Sequence, residues 1–258
     1  MAPCRSHLLF DVYSPTQIAI IFVVYLGAAT AKGVTGLGFS TTCLPFLALT
    51  IGLKEALPLL IIPSISSNLM VQIGAGQFVP TLRRFWPMLL ATLPGVGLGL
   101  WLLGSVDGGT AGAVLGLVLV GYCAFAYAKP DLLLPAHLER PLGPVSGFLT
   151  GIVNGVTGSQ VMPSMPYLMS LNLDRNLFVQ AINCSFTLSS IVMMIGLSRL
   201  GLLPMTAVWV SVLGIGCVVL GIRTGERIRN RLAPEQFRLA VLAMLTLLGL
   251  SLVARGLA

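Results

Sequence analysis

Lys32 lies within an apolar part of the chain, in the segment TAKGVTGLGFSTTCLPFLAL at positions 30–49. A charged side chain near the centre of a lipid bilayer costs about 2.5 kcal/mol or more, so it usually has a charged partner or faces a wet cavity. All eight acidic residues fall in predicted loops or helix ends, where they cannot pair with Lys32 inside a membrane. The pattern therefore favours an anionic ligand as its partner, with snorkelling of the side chain to an interface as the alternative.

The tetrapeptide GVTG follows Lys32 and recurs in the second half of the chain, where Asn154 takes the place of the lysine. Glycines interrupt a membrane helix, and half-helix N-termini direct backbone N–H groups and partial positive charge at an anion. We therefore predict that both motifs contact the ligand, with close helix packing through small residues as the alternative. The predicted contacts are Lys32, Gly33, Thr35, Gly36, Asn154, Gly155, Thr157, Gly158, Ser159 and Gln160.

Primary amides occur in the apolar segment that follows each motif. PSISSNLMVQIG contains Asn68 and Gln72, and INCSFTLSSIVMMIG contains Asn183. Serine and threonine in membrane helices mostly pack or bond back to their own helix, whereas a primary amide is costly in lipid. We assign all three amides to the candidate binding site and expect two of them to face the pathway of the ligand.

The composition indicates that most of the chain lies in lipid. Hydrophobic residues make up 56% of the 258 residues and charged residues 9%, against about 25% charged in soluble domains. The net charge of +7 fits an excess of positive residues on the cytoplasmic side of a membrane rather than nucleic-acid binding. The cysteines form no CxxC pair and the histidines are isolated, so we predict neither a metal site nor a cofactor. The sequence contains no HExxH, GxSxG or clustered acid–base set, which argues against an enzyme.

Apolar stretches of the sequence predict the elements that hold these residues. Four shorter stretches form two pairs with glycine at the join, and each pair predicts a helical hairpin; they are 15–31 with 37–53 and 142–156 with 160–172. The remaining stretches are long enough to cross a bilayer as single helices of about 20 residues. They are 56–76, 80–103, 108–128, 176–198, 203–222 and 236–254.

The two halves of the chain correspond. The GVTG motifs are 122 residues apart, and the landmarks LPFL and VQIG of the first half have counterparts in MPYL and MMIG of the second. We therefore predict an all-α polytopic membrane protein with two repeats, each a glycine-broken helical hairpin followed by three transmembrane helices. The predicted parts are an N-terminal extracytoplasmic segment at 1–14, repeat 1 at 15–128, a cytoplasmic linker at 129–141 and repeat 2 at 142–258.

The distribution of positive charge predicts that the repeats are inverted. If each hairpin returns to the side it entered, ten Lys and Arg residues lie on one side and four on the other, whereas single crossings would give seven and seven. Positive residues collect in the cytoplasm, so we expect hairpins and extracytoplasmic termini. Inverted repeats with interrupted helices at matching positions indicate a binding site near the bilayer midplane. The cytoplasmic set is Arg83, Arg84, Lys129, Arg140, Arg175, Arg223, Arg227, Arg229, Arg231 and Arg238.

The segments GVTGLGFSTTCLPFL and GVTGSQVMPSMPYL resemble the sulfite exporter TauE/SafE family. The similarity covers nearly the whole chain and includes its duplicated layout. It implies a multi-pass transporter of the bacterial inner membrane that exports sulfite, a sulfonate or a related sulfur oxyanion. Lys32 and the continuation GVTGSQ depart from the family pattern, which bears on the choice of anion.

The expected partners are a small anionic substrate and membrane lipids, with no nucleic acid, and a homodimer is left open. Two alternatives to export also remain at this stage. The first is import of a sulfur or carboxylate anion, and the second is an anion channel.

Overall fold

Helices form nearly all of the part of the chain that the structure, a computed structural model, describes: residues 13–36, 38–128, 133–229 and 234–257. Within those residues the protein is all-helical, and no strand occurs. The helices are α1 (Pro15–Thr35), α2 (Phe39–Ile51), α3 (Leu53–Ala75), α4 (Phe78–Ser105), α5 (Gly108–Ala128), α6 (Ala136–Thr157), α7 (Ser164–Met169), α8 (Arg175–Arg199), α9 (Met205–Leu213), α10 (Ile215–Arg229) and α11 (Pro234–Leu257).

By length and hydropathy, six helical stretches of the described chain can cross a membrane. They are Pro15–Thr35, Leu53–Ala75, Phe78–Ser105, Gly108–Ala128, Arg175–Arg199 and Met205–Ile228. This confirms the predicted all-α, polytopic fold class. Positions 1–12 and 129–132 of the predicted terminal segment and linker, with Arg231 of the charge count, lie outside the described residues.

Helix α1 extends further than the glycine pattern predicts. We expected the first helical arm to end near residue 31, but α1 continues through Gly33 to Thr35 and is long enough to cross a bilayer alone. A glycine inside a helix costs only about 1 kcal/mol, and the packing described below offsets it. The chain turns one residue after Thr35, at Gly36, which adopts the left-handed conformation with φ of 78°.

The second half repeats this helix end. Helix α6 ends at Thr157, and the following Gly158 has φ of 73°. The backbone N–H of Gly36 donates to the carbonyl of Lys32, and that of Gly158 donates to the carbonyl of Asn154. Only glycine adopts this conformation without a steric penalty, so both motifs end a helix at the same place. Helix α6 begins at Ala136, within the predicted linker.

Two helix crossings hold the halves together through glycine. A Cβ atom on Gly155 of α6 would lie 2.6 Å from the carbonyl oxygen of Val96 and 2.7 Å from Gly99 of α4. Likewise, a Cβ atom on Gly33 of α1 would lie 2.9 Å from Cα of Gly225 in α10. Each half thus packs its broken helix against a helix of the other half, with the backbones in direct contact.

Substituting Gly99 tests this crossing, and Gly97 of the same helix provides a matched control. A Cβ atom on Gly99 would lie 2.8 Å from Cα of Gly155, whereas one on Gly97 meets nothing within 4 Å. We expect Gly99→Ala to destabilise the protein by about 1–3 kcal/mol, since the two backbones must separate. Gly97→Ala should leave stability unchanged or slightly raised. Thermal unfolding of the purified variants in one detergent measures both, and equal stabilities would contradict the assigned crossing.

Candidate functional site

A small cavity lined by buried residues lies where α2, α3 and α8 meet the C-terminal end of α6. Its volume is about 20 Å³, which is room for roughly one water molecule. Both halves contribute to its wall, and apolar side chains of α3 complete it. The polar residues at its wall are Ser40, Ser64, Asn154, Gln160 and Ser190.

The polar groups around this cavity are only partly paired with one another. The Ser40 and Ser64 hydroxyls lie 2.9 Å apart, and Gln160 Nε2 donates to Ser190 Oγ at 2.9 Å. The Asn154 Nδ2 and Gln160 Oε1 atoms, both buried, have no hydrogen-bond partner. Leaving such a group unpaired costs about 1–3 kcal/mol, so the cavity favours a polar ligand or water that pairs with it.

Lys32 does not line the cavity, but hydrogen bonds connect it to the cavity wall. Its side chain is 1% exposed, and its Nζ donates to Asn68 Oδ1 and, at 3.2 Å, to Ser67 Oγ. The Ser67 hydroxyl in turn donates to the carbonyl of Ser64 at 2.9 Å. Across the described residues, Lys32 forms no ion pair. The ammonium group is therefore buried among neutral acceptors one helical turn from the cavity.

The second half carries weaker counterparts of these contacts. Asn154 stands at the position that corresponds to Lys32, while Ser189 and Ser190 correspond to Ser67 and Asn68. The Ser189 hydroxyl has no hydrogen-bond partner. The two halves thus differ at this position: the neutral Asn154 lines the cavity, whereas Lys32 lies behind the cavity wall.

Gln72 and Asn183 lie in a separate polar cluster where α3 packs against α8. Gln72 Nε2 donates to Thr187 Oγ1 at 2.7 Å and to the carbonyl of Asn183 at 3.2 Å. Asn183 Nδ2 donates to the carbonyl of Val179 at 2.8 Å and to that of Gly36 at 3.4 Å. These two amides join the two halves and cover the end of α1, and they do not line the small cavity.

The threonines of the two GVTG motifs bond back to their own helices. Thr35 Oγ1 donates to the carbonyl of Ala31 at 2.9 Å, and Thr157 Oγ1 donates to that of Val153 at 2.6 Å. Thr157 Oγ1 also accepts from the backbone N–H of Ser159 at 3.1 Å. The Ser159 hydroxyl is buried and lacks a partner. Both threonine hydroxyls thus donate to carbonyls in the last turn of their own helices.

Helix α2 is the element whose N-terminus borders the small cavity. It begins at Phe39, so the hydroxyl of Ser40 lies in its first turn, where backbone N–H groups have no partner within the helix. Helices α1 and α6 instead end in the region of the cavity, at Gly36 and Gly158. Of the half-helix N-termini expected around the ligand, α2 provides the one that borders the cavity.

A much larger cavity of about 460 Å³ lies on the other side of the α2 N-terminus. Thr35, Thr41 and Thr42 contribute polar atoms to its wall, and Val161 of the second motif borders it too. Most of its remaining wall is apolar or aromatic, and Arg175 stands at its edge. Gly38, Ser40, Thr41 and Thr42 therefore form a polar strip of chain between the large and the small cavity.

Sequence reasoning missed the serines that converge on the small cavity. Ser64 and Ser190 stood among several serines of α3 and α8, and nothing in their spacing separated them from residues that bond back to their helix. Ser40 follows the first glycine motif directly in GLGFSTT, which is the signal that could have included it.

Six membrane-length helices, two helices that end at equivalent glycines and a buried polar cavity to which both halves contribute are features of a multi-pass membrane transporter. The family model for the sulfite exporter TauE/SafE matches residues 21–252, and the chain belongs to that family. Comparisons with curated proteins and with solved structures find no match. Since the members of this family are membrane transporters, the protein is a transporter and not an enzyme.

Cysteine labelling tests the difference between the two cavities. In a cysteine-free variant, we expect Thr35→Cys, at an exposed position of the large cavity, to react rapidly with a small water-soluble thiosulfonate. Ser64→Cys should react at least about tenfold more slowly, since access then requires an opening that costs ~1.4 kcal/mol or more. Mass spectrometry of the intact protein follows both reactions. Equal labelling rates would contradict the enclosure of the small cavity.

Proposed function

We propose that this protein exports a small sulfur-containing anion, such as sulfite or a sulfonate, and that the small cavity is its binding site in a closed form. The single observation that carries this proposal is the unpartnered Asn154 Nδ2 at a cavity whose other polar groups include serine hydroxyls. Hydrogen-bond donors in an enclosed site are suited to an oxyanion, which accepts several hydrogen bonds at once. Membership of the sulfite exporter family supports the same substrate class.

Lys32 provides the positive charge of the proposed site. Its Nζ contacts Ser67 and Asn68 of α3 and does not reach the cavity itself. Its charge therefore acts on the cavity through a short stretch of buried protein. Charge interactions are stronger in such low-dielectric surroundings than in water. An anion in the cavity would therefore be favoured even without direct contact, and a rotation of the lysine side chain would bring the two together.

The proposed cycle requires the cavity to expand. An oxyanion such as sulfite is larger than one water molecule, whereas the cavity measures about 20 Å³. The large cavity beyond the strip from Gly38 to Thr42 provides an entrance, and a shift of this strip would join the two volumes. A carrier that closes around its substrate in this way differs from a channel, which needs a continuous open pore.

The proposed orientation follows from the positive charges. We place the protein in the bacterial inner membrane with inverted repeats and both termini outside, because this arrangement puts most Lys and Arg residues in the cytoplasm. Arg175, at the edge of the large cavity, belongs to the cytoplasmic set, so the large cavity would receive the anion from the cell interior. Export of one negative charge gains about 2.3 kcal/mol per 100 mV when the interior is negative, so no coupled ion is needed.

Replacing Lys32 tests the proposed site, and Lys54 is the matched control. Lys54, at the start of α3, donates to the carbonyl of Val106 and lines neither cavity. We expect Lys32→Met to abolish sulfite or sulfonate transport in proteoliposomes, because the counter-charge is lost, while Lys54→Met retains it. Size-exclusion profiles confirm that both variants fold. Unchanged transport by a folded Lys32→Met variant would exclude Lys32 from the site.

The same proteoliposomes distinguish export from its alternatives. An inside-negative potential should drive the anion out of the vesicles through the protein. Reversing the potential should reverse the direction of the flux. Uptake against the potential with an imposed cation gradient would identify an importer instead. Single-channel currents in planar bilayers would identify an anion channel and overturn the proposed carrier cycle.

A further inference from the structure

A third cavity lies apart from the proposed transport site, where the N-terminal parts of α4 and α6 meet. Its volume is about 550 Å³, and it opens at the surface of the protein. Three arginines, Arg83, Arg84 and Arg140, line it together with Trp86, Glu139 and Tyr167. A cavity of this size with so many cations is unusual in a chain whose charged residues make up 9% of its length.

The acidic residue of this cavity is already paired. Arg84 Nε donates to Glu139 Oε1 at 2.6 Å, and its Nη2 donates to Oε2 at 2.9 Å, which is the bidentate geometry of a strong ion pair. Arg83 and Arg140 make no ion pair within the described chain. The cavity therefore has two positive charges in excess, and the Arg84–Glu139 pair holds its wall in place.

Tyr167 connects the cavity to α7. Its hydroxyl donates to the backbone carbonyl of Glu139 at 2.9 Å, which fixes α7 against the start of α6. A ligand held by Arg83 and Arg140 would thus bridge α4 and α6 beside the same α7 segment.

We propose that this cavity binds the phosphate headgroup of an anionic phospholipid. Guanidinium groups bind phosphate oxygens through paired hydrogen bonds, and Arg83 and Arg140 have no competing acid. The surface next to the cavity is suited to acyl chains: Trp86 is 56% exposed, and Leu90, one turn further along α4, is 53% exposed. A free phosphate ion would use the arginines but would gain nothing from this apolar strip, so the combination favours a lipid.

Helix α6 also carries exposed apolar residues, on the face turned away from α4, because Gly147 and Gly151 of this helix contact α4. Val145 and Leu149, one turn apart, are exposed on this helix beyond the arginines. An exposed tryptophan beside cations is typical of the interface between headgroups and hydrocarbon. The cavity therefore combines two unpaired arginines with the exposed apolar surface of Trp86 and Leu90 on α4.

Lipid binding to matched variants tests the proposal, independently of transport. The test variant is Arg83→Gln with Arg140→Gln, which leaves the Arg84–Glu139 pair intact. The control is Arg199→Gln with Arg223→Gln, which removes the same charge from exposed positions that line none of the three cavities. Native mass spectrometry of the purified protein with phosphatidylglycerol measures binding, and with phosphatidylcholine it measures the background.

We expect the wild type and the control to bind phosphatidylglycerol in preference to phosphatidylcholine. The test variant should bind it about 30-fold more weakly, at roughly 1 kcal/mol per lost arginine contact. Phosphatidylglycerol should also raise the melting temperature of the wild type and the control but not of the test variant. Equal lipid binding by the two variants would overturn the proposal. Competition by glycerol 3-phosphate as effective as by the lipid would also overturn it, in favour of a free phosphate site.

Discussion

Helices α1 and α6 each end at a glycine within the packed helices, and the backbone groups that such an end leaves without a partner in its own helix must be satisfied by the protein; this constraint bears on the arrangement of both halves. Irregular backbone is tolerated at membrane depth only where protein or a wet cavity covers it. At Gly36 and Gly158 the protein itself provides the hydrogen-bond partner, because each backbone N–H donates to a carbonyl four residues earlier. Asn183 covers the carbonyl of Gly36, and the Thr157 hydroxyl accepts the backbone N–H of Ser159. The breaks thus persist because each has specific partners.

The same constraint explains the glycine crossings. A broken helix must be shielded from lipid, and close backbone contact is the densest shield available to a helix pair. Gly33 and Gly155 provide it against α10 and α4, each of which belongs to the opposite half. The motif glycines therefore have two structural roles, since Gly33 and Gly155 allow the crossings while Gly36 and Gly158 end the helices. Close helix packing thus explains Gly33 and Gly155, and the need for a left-handed residue at the helix end explains Gly36 and Gly158.

Much of this architecture could be read from the sequence, because the responsible signals are local. Hydropathy and length predict membrane helices, and the repeated GVTG motif predicts that two of them are interrupted. The position of the break in α1 could not be predicted, since the packing of Gly33 against Gly225, almost 200 residues later, is a long-range contact that the local pattern does not record. The convergence of Ser40, Ser64 and Ser190 likewise depends on how α2, α3 and α8 meet, and no local pattern records it. Lys32 was recognisable because its cost in lipid is a property of the residue itself.

The exchange of partners between the halves also limits how the protein can move. Since α1 packs on α10 and α6 packs on α4, neither broken helix can shift without its glycine-paired partner from the other half. Rigid pairs that slide against the remaining helices are the simplest motion compatible with such close backbone contacts. The small cavity borders α6 of the second pair, and α3 and α8 contribute Ser64 and Ser190 to its wall. A displacement of the α4–α6 pair against α3 and α8 would therefore change the size of the cavity while the glycine crossings and the helix ends stay intact.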